Sequence, residues 1–146
     1  MYNRSLLLEL FVEIDEAVRR IERRFADINS PDDFIHDDNG LDRLDAISMM
    51  LISISENIRR IEKIAGTDFL NRYPDIPWLS IKGIRNILAH DYFNIDAEEI
   101  YKICSSELRT FKAGVSKNAQ CDRLIDAIVY RLYGLSEEER AIVEGK

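Results

Sequence analysis

The chain has 146 residues, 46% of them hydrophobic, which suits a single domain with its own core. A formal net charge of −7 excludes indiscriminate nucleic-acid binding, which runs on clustered Lys and Arg, so any nucleic-acid role must be local. With only 3 Pro and 6 Gly, and with Leu, Ile, Arg and Glu recurring at helical spacing, the chain reads as an all-α domain; no apolar run approaches the roughly 18 residues of a membrane span.

Leu7, Leu10, Phe11, Ile14, Val18, Ile21, Phe25 and Ile28 form one stripe of a long amphipathic helix over about residues 5–28. Its polar side carries Arg19, Arg20, Arg23 and Arg24, interrupted by Glu22. Two readings fit this side: a solvated face with carboxylate partners, or a docking surface for an acidic partner or RNA. The opening residues run straight into this charged pattern, unlike a signal peptide. Cys104 and Cys121 show neither C-x-x-C spacing nor a His at ligand distance. Reduced structural thiols and a cytoplasmic location are therefore expected.

Ser30-Pro31-Asp32-Asp33 has the form of a helix start with Ser30 as N-cap, and Asn39-Gly40 is expected to break the chain. A second long helix is predicted from about Leu41 to Ala65, buried through Leu44, Ile47, Leu51, Ile54, Ile58, Ile61 and Ala65 and closed by Gly66. The two long helices should pair antiparallel in an up-down bundle. Glu56 falls roughly opposite Ile54, outside the seam, as a solvated acid. Residues 67–77 are the least regular stretch, and Pro77 starts a short third helix from Trp78 to about His90.

Asp96-Ala97-Glu98-Glu99 has the form of a capping box. It opens a fourth helix with Ile100, Cys104, Leu108, Phe111 and Val115 on one side. Residues 113–120 read as a linker. A last helix over about 121–133 carries Leu124, Ile125, Ile128 and Leu132, and Ser136-Glu137-Glu138-Glu139 caps a final turn or two. The organisation expected is a bundle over 1–116 and a helical extension over 117–146, packed on the bundle or on a partner.

On the third helix, Ile81, Ile84, Ile87 and Leu88 cluster on one side, and Lys82, Arg85, Asn86 and His90 spread over the other. Arg85 and His90 lie about 140° apart, too far to grip one phosphate from a straight helix. Either the helix distorts or ends near His90, or this face pairs with its copy in a symmetric homodimer. The dimer is the favoured reading. The competing one is a merely solvated outer face, with His90 near a helix C-terminus. His36 lies among acids far from His90 in sequence, so no metal set is visible. Gly-rich phosphate loops and Gly-x-Ser-x-Gly elbows are absent, and no cofactor is expected.

The run Tyr73-Pro74-Asp75-Ile76-Pro77-Trp78, followed by Ile81, Gly83, Arg85-Asn86, His90, Tyr92 and Asp96, resembles the HepT-like branch of HEPN domain proteins. The resemblance covers about residues 6–112 and is densest over 73–103. It implies a helical bundle that dimerises so that its R-x-x-x-x-H segments line a shared cleft. It further implies a toxin that cuts RNA without metal, paired with a minimal nucleotidyltransferase antitoxin that transfers AMP to Tyr92. Glu56 matches a second-helix Glu of many members, although Ser55 stands where their Gly precedes it.

The residue types suit that chemistry. His90 can act as base or acid, its copy in the partner chain taking the other role, while Arg85 offers a planar cation for phosphate. Asn86 can orient His90 or bind phosphate, Lys82 adds a cation, and Tyr92 can stack on a base. AMP on Tyr92 would bring bulk and negative charge into the cleft. The alternative function is a non-catalytic helical module that binds, and is a substrate of, the nucleotidyltransferase. Residues 125–135 are similar to the tail of some adenine-specific DNA methyltransferases; without an Asn-Pro-Pro-Tyr motif, they read as a docking or packing helix.

Overall fold

The first apolar stripe forms α1 (Arg4–Phe25), burying Leu7, Leu10, Phe11, Ile14, Val18 and Ile21, with Ala17 beside them. The computed structural model describes residues 4–89 and 93–121, of which 4, 89 and 116–121 are described by backbone alone. His90, Tyr92 and everything predicted beyond Cys121 lie outside the described residues. Helix α1 stops at Phe25, short of the expected end, and Ile28 returns to the core from the following turn. Phe25 is half-buried, its ring 5.5 Å from that of Tyr101.

Two expectations at the next junction are corrected. Ser30 does not cap α2 (Asp32–Ile35). Instead the Asp33 carboxylate reaches back and accepts the backbone N–H groups of Asn29 at 2.7 Å and Ser30 at 3.1 Å. The Asp33 N–H, the donor that a Ser30 cap would need, goes to the Ser30 backbone carbonyl at 3.1 Å. Asn39-Gly40 does not break the chain either, since it lies in the first turn of α3 (Asp38–Ala65). Asp37 is the N-cap, its carboxylate accepting from the Gly40 N–H at 2.7 Å. Gly40 is buried beneath α2, where an added Cβ would sit 2.8 Å from the Phe34 carbonyl oxygen. The glycine therefore serves close backbone approach, not chain breaking.

Helix α3 is the spine of the bundle, packed against α1 on one side and α5 on another. Leu44, Ile47, Leu51, Ile54, Ile58 and Ile61 are buried along it as expected. Full burial of each contributes about 1.5–3 kcal/mol, so this stripe is a substantial part of the driving force for folding, alongside the stripe of α1. The α1/α3 pair is antiparallel. Asn57, buried near the end of α3, donates to the Leu10 carbonyl and the Glu13 carboxylate, while Arg43 near its start reaches the Arg24 carbonyl. Gly66, with φ +86°, ends α3 and donates to the Glu62 carbonyl.

A short helix, α4 (Thr67–Asn71), interrupts the stretch expected to be irregular. Tyr73, Ile76 and Trp78 are buried, and the Trp78 indole N–H donates to the Tyr73 carbonyl at 3.1 Å. The Trp78 ring meets Phe111 edge-on at 6.0 Å. The Tyr73–Trp78 part of the family-like pattern is thus a structural anchor that fixes the entry to α5 (Trp78–Ala89). Asp96 caps α6 (Ala97–Lys102), accepting from the Glu98 and Glu99 N–H groups. A π-helical turn over Ile103–Glu107 leads on into α7 (Leu108–Cys121), so residues 113–120 are helix and not linker. Ile100, Cys104, Leu108 and Phe111 are buried from this run, and Val115 is half-buried. The run lies on α1 through Lys112 to Glu22 at 2.7 Å and the Tyr101 hydroxyl to the Asn29 carbonyl at 2.9 Å.

No strand is present among the described residues, so the fold is the all-α bundle that the composition predicts. None of the described helices is long and apolar enough to cross a membrane.

Candidate functional site

Helix α5 is seated on α3 by Ile81, Ile84 and Leu88, all buried. Ile87, expected in the same stripe, is 51% exposed. It sits 100° beyond Leu88's side of the helix, past the reach of α3. Leu79 is 80% exposed on the same outer side. Gly83 lies between them at four-residue spacing, and a Cβ built there would meet nothing within 4 Å. The Leu79–Gly83–Ile87 strip of α5 is therefore apolar and uncovered by the described chain, with Asn86 and Lys82 along one edge of it.

Along the α3/α5 seam the polar groups form a ladder. The Ser55 hydroxyl, buried, donates to the Lys82 carbonyl at 2.8 Å, so the Ser at the expected Gly position ties the two helices together. Lys82 Nζ pairs with Glu62 at 2.7 Å. Arg85 Nε pairs with Glu56 Oε1 at 2.5 Å. Arg59 Nη2 reaches both the Lys82 carbonyl and Asn86 Oδ1 at 3.4 Å. Lys82, Arg85, Asn86 and Glu56 are thus brought onto one face, while His90 and Tyr92 lie outside the described residues.

Glu56 is not the free solvated acid its helical angle suggests, because that angle places it against α5, which the α3 periodicity alone does not locate. The pair is about half exposed, so it orients Arg85 more than it stabilises the fold, contributing roughly 0–1 kcal/mol. Nε is engaged by Glu56, and among the described residues the terminal nitrogens of Arg85 take no partner, a planar pair of donors whose spacing suits an oxyanion. Arg59 and Glu62 were missed by reasoning from sequence. The signal available was their position one and two turns beyond Glu56 on the same side of α3.

The other predicted surfaces resolve differently. Arg19 pairs with Asp15 at 2.6 Å and Arg20 with Glu16 at 3.1 Å, both exposed and four residues apart, which favours the solvated-face reading for this part of α1. His36 is exposed beside Asp33 and Asp37 in a shallow recess. Among the described residues no three His, Cys, Asp or Glu side chains converge as a metal-binding group would. Cys104 is a free, buried thiol, and burial pushes its pKa up to about 12, which makes it inert as a nucleophile.

The all-α bundle over the described residues is of the HEPN type. A family model described as "Ribonuclease HepT-like" matches residues 14–117, and the chain belongs to that family. Two similar proteins come from Methanocaldococcus jannaschii. One, named "Putative RNase MJ1380", is 33% identical over 69 residues, covering 47% of this chain and 63% of its own length. The other, named "Putative RNase MJ0127", is 34% identical over 58 residues, covering 40% of this chain and 45% of its own. The chain thus spans less than two thirds of either relative. No solved structure matches it.

Proposed function

We propose that this chain is an endoribonuclease toxin that acts as a homodimer and cleaves RNA through Arg85 and His90, without a metal. Family membership and the RNase names of its relatives support the class of reaction. The observation that carries the site is Arg85, held by Glu56 on the outer α3/α5 face with its terminal nitrogens unengaged among the described residues. The face of Leu79, Gly83 and Ile87, uncovered by the described residues, supports a second copy seated on α5, which would bring two Arg85–His90 sets to one cleft.

In this reading His90 of one copy removes the proton from the ribose 2′-hydroxyl, and the 2′-oxygen attacks phosphorus. The P–O5′ bond breaks, and the other copy's His90 protonates the leaving oxygen. Arg85 neutralises the charge that builds on the phosphoryl oxygens. A cognate minimal nucleotidyltransferase then silences the site: the Tyr92 hydroxyl oxygen attacks the α-phosphorus of ATP, pyrophosphate leaves and the phenol proton is lost, and the AMP left on Tyr92 places bulk and negative charge in the RNA path.

The test is incubation of purified protein with RNA in excess chelator, wild type against an equally folded His90→Ala. Wild type should cut and the variant should not; equal cutting by both removes His90 from the mechanism. Co-expression with a neighbouring nucleotidyltransferase should relieve growth arrest and add the mass of AMP to the Tyr92 peptide. The net charge of −7 favours one competitor, a non-catalytic module that only binds the nucleotidyltransferase. That competitor wins if wild type never cuts RNA while Arg85→Ala and His90→Ala still bind the partner.

A further inference from the structure

Three cations line the α3/α5 seam, and two of them are already matched. Glu62 holds Lys82 and Glu56 holds Arg85. Arg59 lies one turn beyond Glu56 on α3 and has no carboxylate within ion-pair distance among the described residues. Its only partners there are two neutral oxygens at 3.4 Å, at the long edge of hydrogen-bonding distance. Its Nε is buried with no partner at all. The Nε edge of this guanidinium has lost water without gaining an anion, and an unsatisfied buried donor is costly. The residue is half-buried, and its Nη1 donates to no described group.

We propose that Arg59 is a second phosphate-binding cation of the RNA site, engaging the phosphate next to the one that Arg85 holds. This rests on the ribonuclease reading. Two features make Arg59 the stronger first contact. A phosphate arriving at Arg85 must share its guanidinium with Glu56, whereas one arriving at Arg59 displaces no carboxylate. It also meets the uncompensated charge of the seam, in a chain whose overall charge of −7 repels RNA elsewhere. Arg59 is carried by α3 and Arg85 by α5, and they hold different partners, Asn86 Oδ1 and Glu56, so the two guanidinium groups approach the seam from separate helices. Arg59 also sets Asn86: a guanidinium donor faces only the amide oxygen, which turns the Asn86 amino group outward as a further donor to RNA.

The test uses His90→Ala, which binds without cutting, and a short mixed-sequence single-stranded oligoribonucleotide titrated at several salt concentrations. Adding Arg59→Gln should weaken binding about tenfold at low salt. It should also reduce the slope of log affinity against log salt by about 0.7, the loss of one phosphate contact on a single strand. Arg59→Lys should restore the slope, because the charge returns. A purely structural Arg59 would lower the melting temperature of both variants and leave the salt slope unchanged, which overturns the proposal. If His90→Ala binds the RNA with the same slope whether or not Arg59 is replaced, Arg59 is excluded while the ribonuclease reading stands. If neither wild type nor His90→Ala binds the RNA, both fall together.

Discussion

Gly83→Ala separates the fold from the assembly, because the two respond in opposite directions. Gly83 lies within α5 without a positive φ, and its added methyl would touch nothing within 4 Å. Within one chain the substitution only removes the helix-propensity cost of glycine, so it should stabilise the fold by about 1 kcal/mol, roughly a fivefold shift in the unfolding equilibrium. If a second copy seats on the Leu79–Gly83–Ile87 face, the same methyl enters a close contact, where overpacking costs about 1–3 kcal/mol. The dimer should then dissociate about fivefold more readily or worse. Urea unfolding at low protein concentration reads the first effect, and sedimentation across a concentration series reads the second. RNA cutting should fall at low concentration and recover as protein is added. An unchanged dimer constant with unchanged cutting refutes α5 as the contact, and a destabilised monomer refutes the open space at Gly83.

Two further outcomes follow from the fold. Gly40→Ala should destabilise the chain by about 3 kcal/mol, because its Cβ would press on the α2 backbone at Phe34, which has no flexible end to yield; an unchanged denaturation midpoint would show that α2 does not cross α3 so closely. The Cys104 thiol, raised by burial to about 12 from 9.0, ionises in the unfolded chain first, so its contribution to stability is complete below about pH 9 and is lost as pH rises towards 12. Cys104→Ala should flatten that part of the alkaline loss in unfolding free energy, and parallel pH profiles for the two proteins would contradict the burial assigned here.

Much of the bundle was legible because it rests on period. The stripes of α1 and α3 are long, and nearly every apolar position in them is buried, since a 3.6-residue repeat has one way to hide from water. Capping by Asp96 was legible for the same local reason. Asn39-Gly40 misled because glycine signals a break by composition, whereas its use here is set by the crossing of α2, a non-local contact. Ile87 misled because periodicity identifies an apolar side but not how wide an arc the neighbouring helices cover. The residues of the candidate site divide in the same way. Arg85, Asn86 and the pattern around them could be read directly as a resemblance, and the match over residues 14–117 agrees with the family that pattern pointed to.

By itself, then, the order of residues determined the all-α class, the antiparallel α1/α3 pair and the short helix bearing Arg85. Only the tertiary structure decided what Arg85 and its neighbours on α5 pair with, because Glu56, Glu62, Arg59 and Ser55 lie some 20–30 residues away along the chain and meet α5 through packing. Charge pairing across two helices depends on their rotation about one another. That rotation is set by how Ile81, Ile84 and Leu88 settle against the α3 spine, and no local pattern in either helix encodes it.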